Sequence, residues 1–157
     1  MKIGLISDTH GDVFSGEKAI KAMGDVDLIL HAGDTYSDAK LLQKITGIDV
    51  VAVKGNTDFD CEADSETILT IEDKKIFLTH GHKYSVKSGI YRLYYRALET
   101  NSDIVVFGHS HIPIHVQENG IVFINPGSTS IPRGGSNPSY GIIDISKKDI
   151  EIKLYSL

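Results

Sequence analysis

The side chains best able to do chemistry fall in five short polar motifs. In chain order these are Asp8-Thr9-His10, Gly33-Asp34, Gly55-Asn56, His80 and Gly108-His109-Ser110-His111. Carboxylates, an amide oxygen and imidazoles together are the ligand mixture that suits Mn, Fe, Zn or Ni, and not Ca or structural Zn. Side chains of an extended segment repeat every second residue, so both members of an Asp-x-His or His-x-His pair can point to the same side.

Seven candidate ligands are more than a single ion needs, so the motifs predict two divalent cations about 3.5–4 Å apart, the spacing used for in-line displacement at phosphorus. A water on such cations has its pKa lowered to about 7 and supplies hydroxide at neutral pH. The cations also neutralise charge that develops on phosphoryl oxygens. The predicted chemistry is phosphate-ester hydrolysis by a bridging hydroxide, with catalytic roles for Asp34, Asn56, His80 and His109.

Each motif follows a short apolar run, as expected where a buried strand gives way to a loop. Strands are predicted at 2–7, 27–31 and 49–53. A helix that Ser15 can cap, with Ala19, Ile20 and Met23 on one face, and a second helix at 38–45 separate them. This alternation predicts a parallel sheet with right-handed crossovers, whose carboxyl edge would gather the first three motifs.

The second half of the chain predicts antiparallel pairs and one more helix. Strands are expected at 66–71, 75–79, 103–107, 112–118, 121–124, 140–145 and 150–155, with Asn119-Gly120 as a hairpin turn. Val86, Ile90, Leu93, Tyr94, Ala97 and Leu98 form one helical apolar stripe. The expected fold class is α/β (α+β), with two stacked mixed β-sheets, a β-sandwich, flanked by helices in a single domain over residues 1–157.

The ordered series Asp-x-His, Gly-Asp, Gly-Asn, His and Gly-His-x-His resembles the calcineurin-like metallophosphoesterase superfamily. Chain length, the segment Asn125-Pro126-Gly127-Ser128 and the terminal strand pair are most similar to its small YfcE-like phosphodiesterase branch. The resemblance implies a four-layer sandwich with Asp34 bridging the two cations. It also assigns Asp8, His10 and His111 to one cation and Asn56, His80 and His109 to the other. Mn²⁺ is the expected ion, with Ni²⁺, Zn²⁺, Fe²⁺ and Mg²⁺ as alternatives.

One departure bears on the substrate. Many superfamily members carry Gly-Asn-His, whose His is thought to protonate the leaving alkoxide, whereas here Thr57-Asp58 follows Asn56. Because Thr57 is a poor general acid, we expect phosphodiesters or acidic leaving groups to suit the site better than monoesters with basic leaving groups. Asp58 or a nearby His is an alternative proton donor. The candidate substrate contacts are Thr57, Asp58, His82 and Arg133.

Other reactive side chains have simpler interpretations. We expect His31 in the core or behind the ligands, and His115 on a surface strand. Cys61 is expected to be an incidental thiol, because no base is identifiable beside it. The aromatic residues around Tyr94 are expected to contribute to the core or to a subunit contact.

Composition excludes several classes of protein. The 157 residues, 41% hydrophobic and 24% charged, are typical of one soluble domain. A net charge of −5 without a dense basic tract argues against an extended nucleic-acid surface, which leaves a small phosphodiester or phosphate ester as the expected partner. No run is long enough for a signal or membrane segment, and Cys61 has no second cysteine to pair with, so a cytoplasmic location is expected. A homodimer or higher homo-oligomer is the default expectation.

Two rival functions are considered. The superfamily includes a retromer subunit that acts mainly in protein assembly, so the first rival is a catalytically weak binding scaffold of the same fold. That subunit departs from the full ligand pattern, whereas every ligand position is intact here, which favours an enzyme. A nucleotide-binding sensor ranks last, because the chain has no Gly-Lys-Ser/Thr phosphate loop.

Overall fold

The computed structural model describes residues 1–59, 61–145 and 150–157. In chain order its strands are β1 (Lys2–Ile6), β2 (Leu28–His31), β3 (Val50–Ala52), β4 (Glu66–Ile71), β5 (Lys74–Thr79), β6 (Ile104–Val106), β7 (Pro113–Glu118), β8 (Ile121–Pro126), β9 (Ser139–Ile145) and β10 (Ile150–Ser156). The helices are α1 (Val13–Met23), α2 (Tyr36–Thr46) and α3 (Tyr91–Thr100). Every predicted strand is present, and no strand end differs from its predicted position by more than two residues.

The strands form two mixed sheets. One has the order β10-β9-β1-β2-β3, in which β1, β2 and β3 are parallel and β9 and β10 are antiparallel to their neighbours. The other has the order β4-β5-β6-β8-β7, with β5, β6 and β8 parallel and β4 and β7 antiparallel. The predicted pair of mixed sheets flanked by helices is therefore confirmed.

Successive side chains of a strand point to opposite faces of its sheet, and this explains how the sheets and helices form layers. Leu5 and Leu30 point from the first sheet into the inter-sheet core, where they belong to one cluster with Leu78 and Val106. The neighbouring Ile6 points to the opposite side, under α1 and α2. On the other sheet, Phe77, Phe107 and Phe123 are buried beneath α3. Each fully buried side chain of this size stabilises the fold by about 1.5–3 kcal/mol. Among the described residues, no helix has both the length and the hydrophobicity needed to cross a membrane.

Two helix starts differ from the sequence prediction. Asp12, and not Ser15, caps α1: its carboxylate accepts the backbone N–H of Ser15, which lies inside the helix. The apolar stripe that begins at Val86 is interrupted, because Val86 lies in a 3₁₀ turn and Gly89, at φ 132°, ends that turn before α3 begins at Tyr91. Periodicity did not reveal this break, and it was also wrong about Leu98, which is exposed on α3 whereas Leu93 and Ala97 are buried.

Candidate metal centre

The polar motifs meet where the carboxyl ends of the two sheets face each other. Asp8, Asp34 and Asn56 follow β1, β2 and β3 of the first sheet, whereas His80 and the two histidines of Gly-His-x-His follow β5 and β6 of the second. Hydrogen bonds join the two sets. The backbone N–H of His109 donates to Asp8 Oδ2 at 3.0 Å, and His80 Nδ1 lies 2.7 Å from the carbonyl oxygen of Ala32. The motifs therefore form one cluster.

One ligand group consists of Asp8, His10 and His111. His10 Nε2 lies 3.3 Å from His111 Nε2, and Asp8 Oδ1 lies 3.2 Å from His111 Nε2 and 3.9 Å from His10 Nε2. Atoms that each lie 2.0–2.2 Å from a shared cation are separated by about these distances. The three side chains can thus bind one divalent ion together.

The second group consists of Asp34, His80 and His109, with Asn56 beside it. His80 Nε2 lies 3.4 Å from Asp34 Oδ2, and 3.2 Å from both His109 Nδ1 and Asn56 Oδ1. Asp34 Oδ2 also lies 3.8 Å from His10 Nε2 of the first group. A carboxylate in this position can contact ions held by either group.

The donor set fits divalent cations. Asp8 Oδ1 is buried and accepts no hydrogen bond from any of the described residues, which is rare for a carboxylate oxygen in a protein interior. His80 Nδ1 and His111 Nδ1 each lie within 2.7 Å of a backbone carbonyl, of Ala32 and of Ile131, and must donate to it. In the neutral imidazoles, Nε2 is then the lone-pair nitrogen, and it faces the cluster. Metal-binding histidines are oriented in this way.

The electrostatics of the cluster favour positive charge. Burial raises the pKa of Asp34, but the hydrogen bond and charge of His80 and the backbone N–H of Thr57 outweigh burial and hold the pKa below its usual value. Burial lowers the pKa of His80, but Asp34 and Asp8 outweigh it and raise the pKa overall. Burial and the charge of His80 lower the pKa of His109 to about 4. Protons and cations therefore compete for the same carboxylate-lined space.

Backbone strain is concentrated at this cluster. Ten non-glycine residues among those described have a positive φ, and five of the ten are candidate ligands: Asp8, His10, Asp34, His109 and His111. Asp and His tolerate the left-handed region better than most side chains, yet each instance costs about 1–3 kcal/mol. Such strain persists only where the surroundings fix it, as is common at functional sites.

The motif glycines allow the loops to approach closely. A Cβ added at Gly108 would lie 2.0 Å from Ser7 Oγ and 2.8 Å from Asp8 Oδ2. At Gly33, which has φ 92°, it would lie 2.9 Å from His80 Nδ1. The glycine before Asp34 and the glycine before His109 are therefore required by the packing of one ligand against another.

Three serines that sequence reasoning missed hold Asp8 in place. Ser7 Oγ donates to Asp8 Oδ2 at 2.7 Å, while Ser128 Oγ and Ser130 Oγ donate to the Asp8 carbonyl oxygen at 2.7 and 3.0 Å. With Oδ2 engaged, Oδ1 points to His111. Ser128 belongs to the Asn-Pro-Gly-Ser segment, and that segment was the available sequence signal.

The candidate substrate residues occupy different positions around the cluster. Thr57 is exposed, and its N–H donates to Asp34 Oδ1 at 3.1 Å. Both carboxylate oxygens of Asp58 already accept backbone N–H groups, of Tyr36 and Gly55, so the geometry gives no support to Asp58 as a proton donor. The ring centroids of His82 and His80 are 5.4 Å apart, and the buried Nδ1 of His82 has no hydrogen-bond partner among the described residues. Arg133 is exposed, and its N–H donates to the His111 carbonyl.

The remaining histidines and Cys61 lie outside the cluster. His31 is fully buried behind it, and burial lowers its pKa to about 4. His115 is exposed on β7, and Cys61 is half-buried. On α3, Tyr94 packs near Phe123, whereas Tyr91 and Tyr95 are exposed.

Residues 1–148 match the family model of the calcineurin-like phosphoesterase superfamily domain. The chain is 35% identical over 157 residues to the probable metallophosphoesterase YsnB of Bacillus subtilis, covering 99% of this chain and 90% of that protein. It is 31% identical over 169 residues to the phosphodiesterase YfcE of Escherichia coli K12, covering 92% of this chain and 88% of YfcE.

Solved structures share the fold. A predicted phosphoesterase of Streptococcus pneumoniae TIGR4 superposes with a TM-score of 0.85 at 30% identity, covering 99% of this chain and 88% of that chain. A Vps29 variant of Entamoeba histolytica superposes with a TM-score of 0.79 at 24% identity, covering 100% of this chain and 93% of that chain. The second likeness shows the fold alone.

Proposed function

The chain belongs to the calcineurin-like phosphoesterase superfamily, and from this premise we propose that it is a metal-dependent phosphodiesterase that cleaves small phosphodiesters. One observation supports the proposal above all others. Two carboxylates, an amide and four imidazoles from five strand ends converge, and the buried Asp8 Oδ1 among them has no hydrogen-bond partner in the described part of the chain.

Asp8, His10 and His111 would hold one cation, and Asn56, His80 and His109 the other. Asp34 would bridge them, because its Oδ2 lies within 3.4–3.8 Å of a nitrogen from each group. When bound, two divalent cations supply an activated water and neutralise charge on the phosphoryl oxygens. Mn²⁺ is the ion we expect to support activity, because a carboxylate, amide and imidazole set suits it.

The chain's own residues favour diesters. Thr57 stands where a leaving-group acid would be, and its hydroxyl is a poor proton donor at neutral pH. The Asp58 carboxylate is occupied in shaping the loop after β3. Substrates whose leaving oxygen needs little protonation, such as aryl diesters, should therefore react faster than alkyl monoesters.

His82 and Arg133 are the substrate contacts that the geometry favours. His82 is half-buried beside the His80 ring, where its imidazole would contact a phosphoryl or leaving-group oxygen held at the His80 group. The backbone N–H of Arg133 donates to the His111 carbonyl oxygen, and the hydrogen bond with Asp8 raises the pKa of the His111 imidazole whereas the charge of Arg133 acts to lower it. The guanidinium is therefore near the other ligand group, where phosphate oxygens would be good partners.

The test is hydrolysis of bis(4-nitrophenyl) phosphate by the purified protein with added Mn²⁺, beside the Asp34→Ala variant. Asp25→Ala, at an exposed position in the α1–β2 connection, is the control for losing one aspartate. We expect Asp34→Ala to lose at least about 10²-fold in kcat/KM, since a shared ligand is removed, and Asp25→Ala to match the wild type. Equal rates for Asp34→Ala and the wild type would reject the mechanism.

The rival scaffold function has one observation in its favour. The outer face of α3 exposes Tyr91, Tyr95 and Leu98, which could contact a protein. A scaffold would show no metal-dependent turnover with any aryl phosphate ester, whereas an enzyme would. The intact ligand set favours the enzyme.

We further infer that residues 1–157 act as one domain, because strands from both halves of the chain share the inter-sheet core. The simplest proposal for its setting is that the enzyme is cytoplasmic, acts on small phosphate esters and forms a homodimer. Light scattering of the purified protein measures the oligomeric state.

A further inference from the structure

A chain of buried hydrogen bonds runs behind the metal centre. The backbone N–H of Gly33 donates to His31 Nδ1 at 3.1 Å, and His31 Nε2 lies 3.2 Å from Thr9 Oγ1. Thr9 Oγ1 in turn donates to Asp38 Oδ2 at 2.6 Å. These bonds connect the loops after β1 and β2 with the first turn of α2, yet none of the three side chains is a candidate ligand.

The Gly33 amide at one end and the Asp38 carboxylate at the other fix the direction of donation along this series of hydrogen bonds. A backbone amide can only donate, so Nδ1 of His31 accepts and the ring proton lies on Nε2. Nε2 then donates to Thr9 Oγ1, whose single hydrogen goes to the Asp38 carboxylate. The Thr9 hydroxyl also lies 3.4 Å from the Asp34 carbonyl oxygen, but its bond to Asp38, at 2.6 Å, is shorter and ends on a charged acceptor. No member of this series can reverse without losing a buried hydrogen bond.

Asp38 holds both neighbours of His10. The same Oδ2 that accepts from the Thr9 hydroxyl also accepts the backbone N–H of Gly11 at 2.8 Å. His10 between them has φ 48°, in the left-handed region. Asp38 is only 5% exposed and forms no ion pair among the described residues. A buried carboxylate without a cation is costly, which points to a role in shaping this loop.

We propose that Asp38, Thr9 and His31 form a positioning relay that holds the backbone of His10 so that its Nε2 faces Asp8 and His111. The proposal rests on the metal centre described under the proposed function. The hydrogen bonds from Thr9 and Gly11 to Asp38 flank His10, so their loss should weaken the cation at Asp8, His10 and His111. Asn56, His80 and His109 lie on other loops, so binding of the second cation should be affected less.

The experiment titrates Co²⁺ into metal-free protein, followed by calorimetry and by visible absorption. Thr9→Val removes the hydroxyl at nearly constant shape, and Thr9→Ser restores it. We expect Thr9→Val to weaken one of two binding steps by about 10–100-fold, the range found for residues that orient metal ligands. Thr9→Ser should return that step to near the wild-type value.

Two variants of Asp38 separate hydrogen bonding from charge. Asp38→Asn keeps one oxygen that can accept from both Thr9 and Gly11, so it should bind Co²⁺ nearly as the wild type does. Asp38→Ala removes the acceptor and should behave like Thr9→Val. If Asp38→Asn and Asp38→Ala weaken binding equally, the hydrogen-bond relay is wrong.

A matched control tests for general destabilisation. Thr46→Val, at the end of α2 opposite to Asp38, removes a hydroxyl that donates to the Leu42 carbonyl at 2.8 Å and accepts the N–H of Ile48 at 3.3 Å. The thermal midpoints of the metal-free variants at Thr9 and Thr46 are measured together. The relay is overturned if Thr46→Val weakens Co²⁺ binding as much as Thr9→Val, if Thr9→Val binds both ions normally, or if Thr9→Ser does not restore binding.

Hydrolysis distinguishes this inference from the proposed function. In Thr9→Val, the metal concentration for half-maximal activity should rise while the maximal rate at saturating metal is largely recovered. A wild-type protein that binds two Co²⁺ ions but hydrolyses no phosphate ester would refute the proposed function and leave the relay supported by the titrations. A wild-type protein that binds no Co²⁺ would refute both.

Discussion

Replacing Gly55 by alanine should damage the metal centre through one misplaced methyl group. Gly55 is buried, and its φ lies outside the left-handed region, so the effect is purely steric. The new Cβ would lie 1.8 Å from Asp34 Oδ1 and 2.5 Å from the Asp34 backbone nitrogen. The second contact is with backbone, so a rotation of the Asp34 side chain alone cannot relieve the clash.

The size of the effect follows from what must move. Forcing a methyl group into a packed interior costs about 1–3 kcal/mol. The N–H of Thr57 would lose its hydrogen bond to Asp34 Oδ1, which is 3.1 Å long and involves a charged acceptor. Such a bond contributes about 1.5–3 kcal/mol. Together these two costs lead us to expect that Gly55→Ala lowers the free energy of unfolding of the metal-free protein by about 2.5–6 kcal/mol. A ligand displaced by about 1 Å should also lower kcat/KM by about 10²-fold.

The assays are urea unfolding of the metal-free protein and hydrolysis of bis(4-nitrophenyl) phosphate at saturating Mn²⁺. Gly141→Ala is the matched control, because the three atoms nearest to its Cβ would be side-chain carbons of Leu5 and Leu154, at 3.1–3.3 Å. The control should cost less than about 1.5 kcal/mol and leave kcat/KM unchanged. If Gly55→Ala retained wild-type kcat/KM and an unchanged urea midpoint, the assigned contact between the Gly55 loop and Asp34 would be wrong.

Three further predictions follow from the site. Burial lowers the pKa of His31 to about 4 from its ordinary 6.5, so the unfolded chain takes up a proton at this residue before the folded protein does. The free energy of unfolding should therefore include about 3 kcal/mol from neutral His31 above pH 6.5, and this contribution is lost as the pH falls through 4. Urea midpoints of the metal-free wild type should fall over that window more steeply than those of His31→Gln, and parallel slopes would contradict the assignment. Chelating the metal should lower the thermal midpoint, since ion at 100 times its Kd stabilises by about 2.7 kcal/mol per site; a midpoint insensitive to EDTA and Mn²⁺ would exclude a tight metal centre. Thr57→His should raise kcat/KM for phenyl phosphate by about 10-fold or more, while 4-nitrophenyl phosphate, whose leaving group needs little protonation, changes less. Equal changes for both monoesters would show that residue 57 does not serve as the leaving-group acid.

The sequence predicted most of the architecture because its patterns are local. Apolar runs that end in polar motifs identified the strands, and the Asn119-Gly120 pair identified the β7–β8 turn, where both residues have positive φ. The break before α3 was missed, since Val86 and Leu93 share an apolar face whether or not the helix is continuous. The cap of α1 was misplaced because Asp12 and Ser15 are both good capping residues, and only the structure shows which one accepts a hydrogen bond.

At the site, the sequence identified which side chains gather but not how they are held. Ordered motifs at strand ends indicate convergence, because the carboxyl ends of parallel strands share an edge. The contacts of Ser7 and Ser128 with Asp8 depend on loop geometry that no local pattern encodes. Asp38 did leave a signal, since a carboxylate on the buried face of α2 beside Ala39 and Leu42 needs a partner.

The order of the ligands along the chain sets when the centre can form during synthesis. His10 and His111 are 101 residues apart in sequence, and His109 completes the other group. A nascent chain that has not yet exposed His109 and His111 would lack one proposed ligand of each cation, however well β1, β2 and β3 have paired. Metal loading should therefore be a late step that follows release of most of the polypeptide from the ribosome, and ions captured earlier would be held by incomplete, exchangeable sets.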